Sequence, residues 1–100
     1  MIYYVYILYS RKTSAFYKGQ TRDVHSRLDR HNQGKEDYTS KGRPWTLLWY
    51  CSKESRSGSL ALEKKLKNLS RKRLISFMQK YEEGIAGPDE MVLLDHLSGC

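Results

Sequence analysis

The run IYYVYILY, residues 2–9, constrains this chain more than any other stretch, because it consists of aromatic and β-branched side chains with a single leucine among them. Such a run reads as a strand. The polar turn SRKTS separates it from a shorter run, AFYKG, so the two read as a hairpin. Pro44 opens a further run, PWTLLWYC, suited to a buried third strand, and the polar loop KEDYTSKGR precedes it.

Helices are expected in three places before the tail. Thr21 can cap a helix over residues 22–33, in which Val24, Leu28 and His31 recur at helical spacing and Gly34 supplies a stop. Leu62, Leu66 and Leu69 share one face of a second helix. Ser70 can cap a third, with Leu74, Ile75, Phe77, Met78 and Tyr81 on its buried side. The expected class is α+β, in the order ββαβαα.

With 100 residues and 39% apolar content, the chain can build one core but not two. The expected domain covers residues 1–83, and residues 84–100 read as an acidic C-terminal tail. That tail can fold into one short amphipathic helix, with Met91 and Leu94, or Leu93 and Leu97, at helical spacing. It is read either as a frayed terminus or as a flap that folds over a basic surface and competes with nucleic acid. No window holds the roughly 20 apolar residues a membrane helix needs, and the opening lacks a charged leader and a cleavage site, so a cytoplasmic protein is expected. Cys51 and Cys100 read as free thiols in a reducing compartment, since two isolated cysteines support neither a structural disulfide nor a metal cluster.

The net charge of +7 conceals an asymmetry. Residues 1–81 hold all 18 Lys and Arg against 6 acids, a charge of +12, whereas residues 82–100 hold 5 acids and no Lys or Arg. A surface this basic concentrates polyanions by a sequence-independent, salt-sensitive attraction, which makes nucleic acid the leading partner class. Against that background stand Tyr6, Tyr17, Arg27 and Glu63. Phenols accept or relay protons, a guanidinium holds phosphate bidentately, and a carboxylate can place a divalent ion where a leaving oxygen gains charge. Glu63 is the only acid between Ser55 and Tyr81, isolated among cations. Plainer readings exist: an Asp23–Arg27 pair and a Glu63–Lys67 pair at i, i+4 on helix surfaces, and ordinary packing roles for the tyrosines.

The phrases YYVYILYS, FYKGQTRDVHSRLDRHNQG, YTSKGRPWTLLWY and ALEKKLKNLSRKR, in that order, resemble the GIY-YIG nuclease superfamily, in particular its small stand-alone bacterial members. The likeness spans residues 2–78, with VYI at 5–7 and YKG at 17–19 in the motif positions. Val5 stands for the first glycine of the motif name and Lys18 for its second isoleucine. The resemblance implies a three-stranded antiparallel sheet flanked by helices, and metal-dependent hydrolysis of DNA by an endonuclease that is structure-directed or non-specific and serves repair or recombination. It also implies roles. Tyr6 is the general base, Tyr17 orients the water or phosphate, Arg27 grips the scissile phosphate, and Glu63 holds one Mg²⁺ or Mn²⁺ whose shell water and substrate complete. His31, with Asn32 after it, suggests a polar rim in which the imidazole would bind phosphate or shuttle the leaving-group proton, a buried or capping histidine being the plainer reading.

Lys18, Gln20, Thr21, Lys41, Arg43, Lys64, Lys67 and Arg71 are candidates for backbone contact with nucleic acid, DNA in preference to RNA, together with Thr39, Lys65, Lys72 and Arg73 in the same loop and stripe. Gly19 between Lys18 and Gln20 would permit close approach to phosphate. No organic cofactor is expected, and a protein partner remains open. The alternative from another class is a basic module that binds DNA or RNA and never cuts it. A third reading, a protein-interaction domain using the apolar tail, rests on Met91 to Leu97 alone.

Overall fold

The computed structural model describes residues 1–99. Strands β1 (Tyr3–Ser10), β2 (Phe16–Thr21) and β3 (Trp45–Lys53) form one antiparallel sheet in the order β2-β1-β3. Helix α1 (Val24–Asn32) lies between β2 and β3, and α2 (Arg56–Lys67), α3 (Arg71–Lys80) and α4 (Pro88–Gly99) follow. The expected ββαβαα order is realised, and the tail adds α4 to it.

Alternation along the central strand divides the side chains between two cores, which is why β1 must be apolar throughout. Val5, Ile7 and Tyr9 face one way and pack with Leu48, Leu66, Leu74, Met78 and Leu94 beneath α2, α3 and α4. Tyr6 and Leu8 face the other way, with Val24, Trp45 and Leu47 beneath α1. Removing side chains such as Ile7, Leu48 and Leu66 from water contributes about 1.5–3 kcal/mol each. Ile7 opposes Trp49 and Leu8 opposes Leu47, so Leu48 is the extra residue of a β-bulge. Its carbonyl accepts from Ala86 N–H at 3.0 Å, and Ile85 bridges Trp49, so the chain after α3 covers the outer edge of β3.

Helix α1 starts two residues later than expected. Thr21 ends β2, and its hydroxyl turns back to Asp23, accepting from Asp23 N–H at 3.2 Å. Asp23 is the cap, its carboxylate accepting from Ser26 N–H at 3.1 Å, which occupies the acid that could have paired with Arg27. The helix stops as read: Gly34 has φ +76°, and the Lys35 and Gly34 amides close back on the Arg30 and His31 carbonyls. Ser70 caps α3 as expected, accepting from Arg73 N–H at 3.3 Å.

The tail helix buries Leu93 and Leu94, with Leu97 packed alongside, and packs against α3 and β3, leaving Met91 exposed. These three leucines therefore extend the main core. Cys51 is a half-buried free thiol on β3, and Cys100 lies outside the described residues. Among the described residues, no helix is long and apolar enough to cross a membrane.

Candidate active site

Tyr6 opposes Gly19 across the β1–β2 ladder, and the register explains the glycine. A Cβ at Gly19 would lie 2.6 Å from the Tyr6 hydroxyl oxygen and 3.1 Å from the Tyr17 ring. Gly19 thus makes room for the two phenols, a need that comes from the pairing of the strands. The Tyr6 ring crosses its partner strand and runs toward α1, where its hydroxyl meets His31 Nε2 at 3.0 Å. Tyr6 and His31 are each only 1% exposed.

The other imidazole nitrogen, Nδ1, lies 2.7 Å from Thr39 Oγ1, and that hydroxyl donates to the Glu36 carbonyl at 3.4 Å. With the Thr39 proton assigned to that carbonyl, the tautomer that satisfies every contact has Nδ1–H donating to Thr39. Nε2 is therefore an acceptor, and Tyr6 donates to it. The result is a directed chain, Tyr6 to His31 to Thr39 to Glu36, that leaves the Tyr6 lone pairs open to a further donor. Thr39 is 2% exposed, so it is a positioning group for His31 and not the phosphate contact its loop position suggested. Nothing in the spacing, eight residues beyond His31 in a polar loop, marks it out.

Tyr17 closes the cluster. Its ring is 4.8 Å from the His31 imidazole and 6.2 Å from Tyr6, centroid to centroid. The Tyr17 hydroxyl has no protein hydrogen bond among the described residues, which leaves it available to water or substrate. Arg27 sits one turn before His31 on α1, half-buried, and Glu63 sits on α2, which packs against β2 and β1. Both charges act on the Tyr6 hydroxyl, so the five candidates share one electrostatic neighbourhood.

Burial, then the neighbouring Tyr17 phenol, pushes the Tyr6 pKa up, and the Arg27 cation does not offset them. The phenol stays protonated at neutral pH, and any proton it takes must be passed on as it arrives. Burial also lowers the His31 pKa below 6.5, with Arg27 and Arg30 acting in the same direction and Glu36 opposing. His31 is thus a neutral acceptor at neutral pH.

Stability should report this. Below pH 6.5 an unfolded His31 binds a proton that the folded protein resists, so the stabilisation is complete above that pH and is lost as pH falls from 6.5 through the lower folded value. Urea-unfolding midpoints should drop between pH 7.5 and 5.5, and His31→Asn should flatten that dependence. A rise toward acid would mean that the fold stabilises the imidazolium.

Around the cluster the remaining candidates divide. Glu63 pairs with Lys67 at 3.6 Å, an i, i+4 contact. Burial and the nearby Lys67 charge lower the Lys18 pKa. Gln20 touches Ser59 on α2 at 3.5 Å. Three groups have partners within the chain. Arg71 donates to the Ser14 carbonyl at 2.6 Å and covers Phe16, fastening α3 to the hairpin turn. Arg43 lies over Gly34 and donates to Ser40 O at 2.9 Å. Asn32, read as part of a polar rim, pairs through both amide atoms with the Trp45 backbone and ties α1 to the start of β3. Lys41 and Lys64 are exposed on the loop and on α2.

Sequence reasoning missed two open grooves that flank the cluster. One of about 480 Å³ is lined by Arg22, Arg27, Arg30 and Arg56, with Tyr3 and Gln20. The other, of about 500 Å³, is lined by Phe16, Tyr17, Lys18, Tyr38 and Lys67. Arginines scattered over residues 22–56 give no pattern until the hairpin, α1 and the start of α2 are brought together.

The chain is similar to proteins already known. The family model described as the GIY-YIG catalytic domain matches residues 2–81. A UPF0213 protein of Pectobacterium carotovorum is 34% identical over 90 residues, covering 89% of this chain and 90% of its own. One from Syntrophus aciditrophicus is 37% identical over 83 residues, covering 80% and 93%. The solution structure of a UPF0213 protein from Bacillus halodurans superposes with a TM-score of 0.52 at 32% identity, covering 90% of this chain and 92% of that one.

Proposed function

This chain belongs to the GIY-YIG family, and from that premise we propose that it is a metal-dependent endonuclease that hydrolyses DNA phosphodiesters, structure-directed or non-specific, in the cytoplasm, in repair or recombination. The observation that carries the reading is the Tyr6–His31–Thr39 chain, a buried proton path whose open end lies beside Tyr17 and within the fields of Arg27 and Glu63.

In this mechanism Tyr6 accepts a proton from the attacking water while handing its own to His31 Nε2. The two transfers are coupled because burial opposes a free phenolate. Thr39 keeps the imidazole in the tautomer that can receive it. Tyr17 orients the water or a phosphate oxygen, and the Arg27 fork offsets the charge that builds on the phosphate.

Among the described residues no group of three or more His, Cys, Asp or Glu is placed to hold a metal. Glu63 would hold the ion: its carboxylate is a hard oxygen donor whose loose pairing with Lys67 can be exchanged, which fits the preference of Mg²⁺ or Mn²⁺ for oxygen. When bound there, the ion supplies positive charge for the leaving oxygen.

The test is cleavage of labelled single-stranded, duplex, nicked and branched DNA with Mg²⁺ or Mn²⁺. Product should form with either ion and vanish on chelation, while salt-sensitive binding persists without metal. No product from any substrate, with binding intact, would make the chain a nucleic-acid-binding module that does not cut.

A further inference from the structure

Tyr38 is 88% exposed, yet the chain around it is fastened. Thr39 is buried on His31, its amide donates to the Glu36 carbonyl at 3.1 Å, and its carbonyl accepts from the Trp45 indole at 2.8 Å. The phenol ring is therefore held out in water on a fixed stem. A lone exposed aromatic means little, but this one is not alone. Its centroid is 6.1 Å from the Tyr17 ring, and with Phe16, Lys18 and Lys67 it walls one of the two grooves beside the catalytic cluster.

That groove combines a flat, accessible ring with two cations. Burial and the repulsion of Lys67 lower the Lys18 pKa, and an anion lodged between the two ammonium groups would relieve the strain. The opposite groove is built differently, with guanidinium groups of Arg22, Arg27, Arg30 and Arg56 and with Tyr3 as its aromatic. It offers four guanidinium groups for phosphates, with the Asp23 carboxylate also in its wall. A surface with a ring for a base and cations for the adjoining phosphates has the chemistry of a nucleotide whose base is unpaired, because a base inside a duplex has both faces covered by its neighbours.

We propose that the Tyr38 groove is a subsite for an unpaired nucleobase of DNA next to the scissile phosphate, stacked on the Tyr38 ring with its flanking phosphate between Lys18 and Lys67. The inference rests on the nuclease reading for the position of the scissile phosphate. It assigns a preference for single-stranded or frayed DNA to a residue outside the chemistry.

The experiment measures binding by fluorescence anisotropy of a labelled short single-stranded DNA and of the duplex of the same sequence, in chelator so that nothing is cut. Wild type, Tyr38→Ala and Tyr38→Trp are compared. Tyr38→Ala should weaken single-strand binding by about tenfold and leave duplex binding nearly unchanged, since stacking is lost one base at a time. Tyr38→Trp should bind the single strand at least as well as wild type, and its indole fluorescence should be quenched on binding. Equal affinities for Tyr38→Ala and wild type, or the same loss on both DNAs, would overturn the proposal. The nuclease reading fails separately: a wild type that binds single strands through Tyr38 but never cuts with Mg²⁺ or Mn²⁺ refutes catalysis alone.

Discussion

Replacing Tyr6 by Phe should lower DNA cleavage by about 10²–10⁴-fold, the usual contribution of a positioned proton-transfer group, while the fold survives. The substitution removes one oxygen and adds nothing, so the ring still fills its place opposite Gly19 between Leu8 and α1. What disappears is the hydroxyl that donates to His31 Nε2. That nitrogen is then buried without a donor, which costs about 1–3 kcal/mol of stability. A second measurement separates the relay from mere loss of stability. Thr39→Val removes the partner of Nδ1, releases the tautomer and should also slow cleavage, but with Tyr6 present to receive the proton of water the loss should be smaller. Cleavage by Tyr6→Phe within about threefold of wild type would refute the relay as the proton path.

How much of this could be read from the chain depends on how local each signal is. The hairpin, the third strand, the leucine face of α2 and the Ser70 cap were legible because each depends on residues within a few positions of one another. The start of α1 lies two residues beyond the expected one because Thr21 and Asp23 are both good caps, and only the length of the β1–β2 ladder decides between them. That Gly19 makes room for Tyr6 is not legible, because the pairing that puts the ring across it is a tertiary fact. Arg71 and Lys72 look alike in a basic run, but the hairpin turn brings a carbonyl to Arg71 alone. The tail offered two apolar pairings, and the structure uses Leu93, Leu94 and Leu97 because the space beside α3 and β3 receives that side. Chemistry-bearing residues were legible as types. The partner that orients His31 was not, since Thr39 comes to it through a loop whose path no periodicity records.

Glu63→Ala should reduce metal-dependent cleavage by at least about 10³-fold, because it removes the carboxylate proposed to hold the ion at the leaving oxygen. Its effects on folding and binding should be small and of known sign. The pair with Lys67 is a helix-surface contact with Lys67 half in water, so its loss costs no more than about 0.5 kcal/mol. Removing one negative charge from a basic face, and freeing Lys67, should leave DNA binding unchanged or tighter, with a salt dependence at least as steep. Those three results together distinguish a nuclease from a binding module: activity gone, affinity kept, stability nearly intact. The same substitution also tests the electrostatics at Tyr6, because Glu63 raises the phenol pKa and its removal makes proton loss there easier, not harder. If Glu63 acted only by tuning Tyr6, the alanine variant would cut at least as fast as wild type. A large loss therefore assigns the carboxylate to the metal and not to the phenol.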